Sequence, residues 1–209
     1  MVKFPHKTLE RFLLRQGMDG IVGIDEVGMG CLAGPVVVCA VHIAPPFYAR
    51  RWREFERLRD SKLLSAAQRE RFAAALSVHS DIRHVVVTVP PRDVDTYNVL
   101  GAARRGMRKA ITRLLGAEAH TTVLVDGNRA IPDLAYPQQT IVGGDRSVFA
   151  IAAASVLAKV HRDALMRRYA VTYPGYGFEQ HKGYGTAQHV SRLRELGPCP
   201  LHRRSFSLT

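Results

Sequence analysis

Apolar and polar positions follow two different periods along this chain. Residues 21–26 (IVGIDE) are a short apolar run closed by two acids, and residues 35–43 (PVVVCAVHI) are almost wholly apolar and rich in valine. Both runs predict buried strands, and Gly28-Met29-Gly30 between them predicts a hairpin with a tight glycine turn. Residues 44–62 are basic and irregular, a loop with some helix. Ser65 and Gln68 then stand at capping-box spacing, and Phe72 and Leu76 continue a helical stripe. The β-branched stretch 82–89 ends at Pro90-Pro91 and predicts a third strand. From Asp93 to Leu115 the apolar residues Tyr97, Leu100, Met107, Ile111 and Leu114 recur at helical spacing. Residues 121–128 predict a fourth strand and 139–142 a short fifth. An alanine-rich helix is expected from Ser147 to about Ala170, then a Gly- and Tyr-rich loop over 173–185. Thr186 is expected to cap a last helix running to about Leu196.

A hairpin and a third strand, followed by alternating helices and strands, predict a mixed α/β sheet covered by helices, in which functional residues gather at strand ends. No repeat or low-complexity linker divides the chain, so residues 1–209 are read as one domain. The longest apolar run, around residues 31–41, is too short to span a bilayer, and charges are mixed through the first seventeen residues where a signal peptide would need an apolar core. Cys31, Cys39 and Cys199 are an odd number without C-x-x-C spacing, which suggests neither a disulfide framework nor a zinc site. Together these readings predict a soluble, cytoplasmic protein without a membrane partner, and a monomer.

Charge narrows the class of partner. Thirty Lys and Arg against eighteen Asp and Glu give a net charge of +12, which favours a polyanion, nucleic acid above all. Against this background four acids stand out. Asp25 and Glu26 close the first strand, Asp126 closes the fourth, and Asp145 sits in a glycine turn before the long helix. Asp126-Gly127-Asn128 is also a good turn, and Asp145 with Ser147 also suits a helix start. Neither explanation covers Asp25-Glu26, because neighbours on a regular strand point to opposite faces and a buried charge needs a partner. An irregular strand end, or a long Glu side chain reaching round, is required to bring both into one cleft. Carboxylates without a Cys or His motif favour Mg²⁺ or Mn²⁺, and in a basic protein that points to phosphodiester hydrolysis by two ions about 3.5–4 Å apart.

The motifs GIDEVGMGCLAGPVV, VDGN, GGDRSVFAIAAASVLAKVHRD, YGFEQHKGYGT and HRRSF, in this order between residues 21 and 206, together resemble bacterial ribonuclease HII, a type 2 ribonuclease H. The resemblance implies an RNase H-like fold with a mixed five-stranded sheet flanked by helices, and a small C-terminal helical part, about 170–209, that binds substrate. It implies hydrolysis of the RNA strand of RNA–DNA hybrids and nicking 5′ of ribonucleotides embedded in duplex DNA, leaving a 3′-hydroxyl and a 5′-phosphate. Asp25, Glu26, Asp126 and Asp145 match the catalytic acids, with Asp25, Glu26 and Asp126 as metal ligands for Mg²⁺ or Mn²⁺. Gly28, Met29 and Gly30 match the turn that reads the ribose 2′-hydroxyl, and Tyr184 matches the tyrosine at the ribonucleotide junction. Lys62, Lys182, Arg203 and Arg204 match basic positions expected to contact phosphate. Met29 stands where an arginine is usual, Cys31 where a proline is usual, and Leu63 where a second lysine is common. A main-chain reader survives Met29, whereas a planar cationic donor to phosphate does not, so an atypical substrate or metal preference is expected. The alternatives are another nuclease or recombinase of the same fold, and a non-catalytic or atypical RNase H-like nucleic-acid-binding protein.

Overall fold

The apolar run that carries the acids forms β1 (Gly20–Val27), and the valine-rich run forms β2 (Val36–Ile43), antiparallel to it. β3 (Ile82–Val89) adds antiparallel to β2, whereas β4 (Thr121–Asp126) lies parallel to β1 and β5 (Gln138–Ile141) parallel to β4. The order β3-β2-β1-β4-β5 makes β1 the central strand. The computed structural model describes residues 5–115 and 120–207.

Helices cover both faces of this sheet. α1 (Thr8–Arg15), α2 (Pro45–Ala49) and α3 (Ala66–Val78) precede the long α4 (Pro91–Leu115), and α5 (Gly144–Ser147) is a single turn before α6 (Phe149–Thr172). α6 packs on one face against β1 and β2, with α3 beside it, and α4 packs on the other against β2 and β3. The strand period of two sorts the core accordingly. Ile21 of β1, with Cys39 and Val41 of β2, faces the alanines of α6, while Val22, Ile24, Val38 and Ala40 face Ala103, Met107 and Ala110 of α4. The alanines let α6 approach closely: a Cβ at Gly23 would stand 2.1 Å from the Ala150 carbonyl carbon. α7 (Phe178–His181) and α8 (Ala187–Leu196) complete a smaller C-terminal part, with its own cluster around Met166, Tyr176, Phe178 and Leu201.

The expected elements form, with informative departures. Ser65 and Gln68 make the reciprocal capping box at the start of α3. α4 begins at Pro91 and is broken at Asn98 (φ 54°), whose Oδ1 accepts the Gly101 N–H at 2.9 Å and so restarts the helix. Ser147 does not begin the alanine-rich helix; it ends α5, and its hydroxyl donates to the Gly143 carbonyl. α1 was not foreseen as a helix. The largest correction concerns the hairpin, since β1 and β2 are joined not by a tight turn but by residues 28–35, which pair with the C-terminal part through bridges Cys31–Tyr184 and Ala33–His202.

Two buried arginines hold that connection. Arg162 of α6 donates from Nε to the Pro35 carbonyl at 3.0 Å, from Nη1 to Lys182 at 2.8 Å and from Nη2 to Ala33 at 3.2 Å. Arg203, from the C-terminal segment, donates from Nη1 to Met29 at 2.8 Å, from Nη2 to Gly28 at 2.6 Å, and from Nε and Nη2 to Gly34 at 3.2 and 3.0 Å. Both side chains are fully buried, and their partners are main-chain carbonyls rather than carboxylates. Burial pushes the Arg203 guanidinium down to about 10, still charged at neutral pH. Gly28 (φ +95°) is required beneath them, because a Cβ there would meet Arg162 Nε at 2.3 Å. Arg203→Lys keeps the charge but cannot reach three carbonyls in a planar fork. It is expected to lower stability by about 3 kcal/mol, read as a shift of the urea midpoint at unchanged slope; an unshifted midpoint would show that the fork is dispensable.

Glu10 of α1 couples the N-terminal segment to α6. Its side chain is fully buried, one oxygen accepts the Ala150 N–H at 3.2 Å at the first turn of α6, and the other has no partner among the described residues. Burial pushes its carboxyl from 4.5 up to about 7, opposed by the amides and by Lys7. The folded state therefore favours the neutral acid, and its contribution is fully present below the unfolded value and lost as pH rises through the folded one, a change of about 3 kcal/mol. Glu10→Gln removes that titration. The stability of the native chain minus that of the variant should fall by this amount between pH 4.5 and 8, and a pH-independent difference would clear Glu10 of the role.

Candidate active site

The four acids singled out in the sequence meet at the C-terminal ends of β1 and β4. Asp25 pairs in register with Cys39, whose side chain lies on the α6 face, and Glu26 pairs with Val38, which lies on the α4 face. The strand stays regular through both residues. Neither a bulge nor a strand break is needed, because the strand ends one residue later and each acid reaches the same open cleft from its own face. That cleft has a volume of about 480 Å³ and is lined by Asp25, Glu26, Asp126 and Asp145. Asp126 is fixed by the turn after β5: its Oδ1 accepts the Gly144 N–H at 2.7 Å and the Asp145 N–H at 3.4 Å.

The acids repel one another. Asp25 is raised well above the ordinary carboxylate range by burial and then by the charges of Glu26 and Asp126. Glu26 is pushed to about 7 by burial and Asp126, with Lys62 pulling the other way. Asp145 rises to about 6 through burial, Asp60 and Asp126, opposed by Lys62 and Arg146. Such a cluster is electrostatically unsatisfied and favours a cation. The donor set is all oxygen, which suits a hard divalent ion and excludes a thiolate site. Among the described residues no three such side chains close into a ready-made cage, but Mg²⁺ keeps several waters and needs only one or two carboxylates with substrate phosphate. The residues present fit such an ion.

Cations and hydroxyls rim the cleft. Lys62 and Lys159 line it together with Ser61, Ser155 and Tyr184. The Ser155 hydroxyl acts on Asp25 against the effect of burial, and its Oγ lies 3.0 Å from Ser61 Oγ. Lys159 donates to Asp163 at 2.8 Å and stands 5.8 Å from the centre of the Tyr184 ring, as does Arg162 from beneath. Tyr184, 38 % exposed, is held through its backbone by the bridge to Cys31 and by a chain of buried histidines. Cys199 N–H donates to His202 Nδ1 at 3.0 Å, which leaves the His202 Nε2–H to donate to His189 Nε2 at 3.1 Å. His189 then donates from Nδ1 to the Tyr184 carbonyl at 2.9 Å. Burial lowers His189 to about 4 and His202 below its ordinary value, so the chain is neutral at physiological pH, as its orientation requires.

Six of the expected residues thus share the main cleft: the four acids, Lys62 and Tyr184. Met29 lines an adjoining cleft with Glu26 and Asp126. Gly28 lies buried over Arg162, and Gly30 is open to solvent. Among the described residues, the amides of Met29 and Gly30 donate to no main-chain acceptor, since the carbonyls of this turn are the groups used internally. Arg203 is corrected: fully buried on carbonyl oxygens, it cannot contact phosphate and instead shapes the turn. Lys182 does not line the cleft either; its Nζ donates to the Glu179 carbonyl. Arg204 is exposed on the C-terminal segment outside the cleft lining. Ser155, Lys159 and Arg162 were missed, although their spacing of four and three puts one polar stripe on an otherwise alanine-rich helix.

The chain is similar to known proteins along nearly its whole length. The sequence model of the family described as ribonuclease HII matches residues 22–209. Ribonuclease HII of Chlorobium chlorochromatii is 47% identical over 195 residues, covering 93% of each chain. Among solved structures, ribonuclease HII of Archaeoglobus fulgidus in complex with PCNA superposes with a TM-score of 0.72 at 23% identity, covering 91% of this chain and 96% of that one. Bst ribonuclease HIII in complex with Mn²⁺ gives 0.68 at 18% identity, covering 94% of this chain and 70% of that one. At these identities the two structures establish the fold, a mixed RNase H-like sheet flanked by helices. The match along nearly the whole sequence establishes more: this chain belongs to the ribonuclease HII family and is a ribonuclease H hydrolase.

Proposed function

We propose that the chain hydrolyses the RNA strand of RNA–DNA hybrids and also nicks duplex DNA 5′ of an embedded ribonucleotide, leaving a 3′-hydroxyl and a 5′-phosphate. The observation that carries this reading is the convergence of Asp25, Glu26, Asp126 and Asp145 on one cleft that is also lined by Lys62, Lys159 and Tyr184. Asp25, Glu26 and Asp126 hold Mg²⁺ or Mn²⁺, and the Mn²⁺ in the Bst ribonuclease HIII structure supports that choice. When bound, a pair of such ions activates the attacking water and stabilises the leaving oxygen.

The chain's own residues do the rest. Ser155 orients Asp25, and the amides of Gly144 and Asp145 orient Asp126, so the acids are set before substrate arrives. Asp145, in the α5 turn, shapes the far wall and adds negative charge. Lys62 and Lys159 offset the repulsion between the acids and a phosphate backbone. Tyr184 offers a ring and a hydroxyl beside the acids, and Met29 and Gly30 offer open amides on the adjoining turn. These groups can pack on a ribose and bond its 2′-hydroxyl, the group that separates RNA from DNA. Residues from about 170 onward act as a substrate-binding extension, because they carry Tyr184 and the histidines that seat it.

Cleavage of an end-labelled DNA duplex containing one ribonucleotide, with Mg²⁺, Mn²⁺ or chelator, tests this reading. A metal-dependent nick 5′ of the ribonucleotide is expected, and Asp25→Asn should reduce it by more than about 100-fold while still binding the duplex. Cleavage of a long hybrid without any nick would remove the junction activity, and binding without turnover on either substrate would favour the non-catalytic reading. Ser155→Ala tests the orienting role: the metal concentration for half-maximal activity should rise by about tenfold with duplex affinity unchanged. An unchanged metal requirement would mean that Asp25 does not depend on that hydroxyl.

A further inference from the structure

α4 carries a group of arginines beside the cleft that the sequence motifs do not include. After the break at Asn98, Ala102, Ala103, Gly106 and Met107 are buried against the sheet. Arg104 lies at the flank of this stripe. Its neighbours are engaged: Arg105 stands 4.0 Å over the Tyr97 ring, and Arg108 reaches Asp133 at 3.2 Å. Arg104 is not. Among the described residues its Nε is sealed from solvent without a hydrogen-bond partner, an arrangement that ordinarily costs about 1–3 kcal/mol. The side chain stands between two clefts. One, about 170 Å³, is shared with Glu26, Met29, Asp126, Asn128 and Arg129. The other, about 180 Å³, is shared with Arg105, Arg108 and Asp133.

A guanidinium with an unpartnered Nε, lining two open clefts, is either a counter-charge for the acids or a seat for an anion from outside. The first does not hold. The cation that acts on Glu26 is Lys62, and Arg104 makes no ion pair with Glu26 or Asp126 among the described residues. Met29, the side chain of the glycine turn that borders the same cleft, carries no charge. Arg129 adds a second exposed cation and Asn128 an amide at the far side. A guanidinium lining the cleft, a basic neighbour and an amide match the geometry of a phosphate group.

We propose that Arg104, with Arg129, forms a phosphate subsite on the Glu26 side of β1, and supplies from α4 the backbone contact that the turn lacks with methionine at position 29. The ligand is a phosphodiester of the bound strand, next to the one that meets the carboxylates, so the proposal rests on the nuclease reading above. Binding through the backbone does not discriminate sequence or sugar.

The test uses the Asp25→Asn chain, so that binding is measured without turnover, with a fluorescently labelled DNA duplex containing one ribonucleotide and the same duplex in DNA alone. Arg104→Gln is expected to weaken both by about tenfold and to reduce the slope of log affinity against log salt by about one. Arg104→Lys should keep the slope while losing part of the affinity. Arg15→Gln, at an exposed position at the end of α1, should change neither. Adding Met29→Arg to Arg104→Gln should restore binding through the shared cleft. Unchanged affinity and slope in Arg104→Gln overturn the subsite, and failure of Met29→Arg to restore binding overturns its placement in that cleft. The two readings fail separately. A native chain that never cleaves, beside an Arg104→Gln variant that binds more weakly, sinks the nuclease and leaves the subsite. A native chain that cleaves, beside a variant that binds like its parent, sinks the subsite alone.

Discussion

Two guanidinium groups on main-chain carbonyls are what the site depends on. Arg162 and Arg203 approach the connection between β1 and β2 from different parts of the chain and take up carbonyls of Gly28, Met29, Ala33, Gly34 and Pro35. A segment with this much turned-in backbone is normally a surface loop, because buried carbonyls need donors. Here the donors are supplied by residues far away in sequence, so the segment forms only when α6 and the C-terminal part are both in place. The glycine turn, the Cys31–Tyr184 bridge and the seat of Tyr184 then follow from one packing event. The arrangement also leaves two buried positive charges without carboxylate partners under the turn.

The acids pose the opposite problem. Asp25 is nearly fully buried at the end of the central strand with Glu26 and Asp126 acting on it. Burial alone favours the neutral acid, and like charges add to that. The fold does not relieve this with a buried salt bridge. It supplies weaker partners instead, a serine hydroxyl and main-chain amides, which orient the carboxyl oxygens and leave lone pairs directed at the cleft. A structure that paired each acid with an arginine would be better neutralised and chemically inert. The residual repulsion is the stored demand for a cation.

What could be read from the sequence and what could not divide along physical lines. Strands and helices with strong local signals were legible: the capping box at Ser65, the β-branched run of β3, the helical period of α4 and the alanines of α6. The four acids were legible because charge at the end of an apolar strand is locally improbable. The role of Arg203 was not. In sequence it is one of several basic residues near the C-terminus, and nothing in HRRSF says that the first arginine is buried and the second exposed. Burial is a property of the contact with residues 28–34, which are more than 160 positions away. The same distance hid the length of the β1–β2 connection, because a glycine pair reads as a tight turn unless its long-range partners are known. The histidine chain was hidden for a third reason: it is defined by tautomers, and those are set by which amide faces which ring nitrogen.

The adjacency of Asp25 and Glu26, which looked like a geometric difficulty, organises the site. A strand two residues from its end turns one acid to each face of the sheet, and the faces are covered by different helices. Asp25 therefore looks toward α6, where Ser155, Lys159 and Tyr184 stand. Glu26 looks toward α4, where Met29, Arg104 and Arg129 stand. The first neighbourhood has two serine hydroxyls, an aromatic ring and two lysines. The second has two arginines and an asparagine amide. A single dipeptide thus borders two chemically distinct, adjoining clefts, and the sheet's period of two separates them without any departure from regular strand geometry. Met29 lines the second cleft, where its side chain adds bulk and no charge between Glu26 and the two arginines.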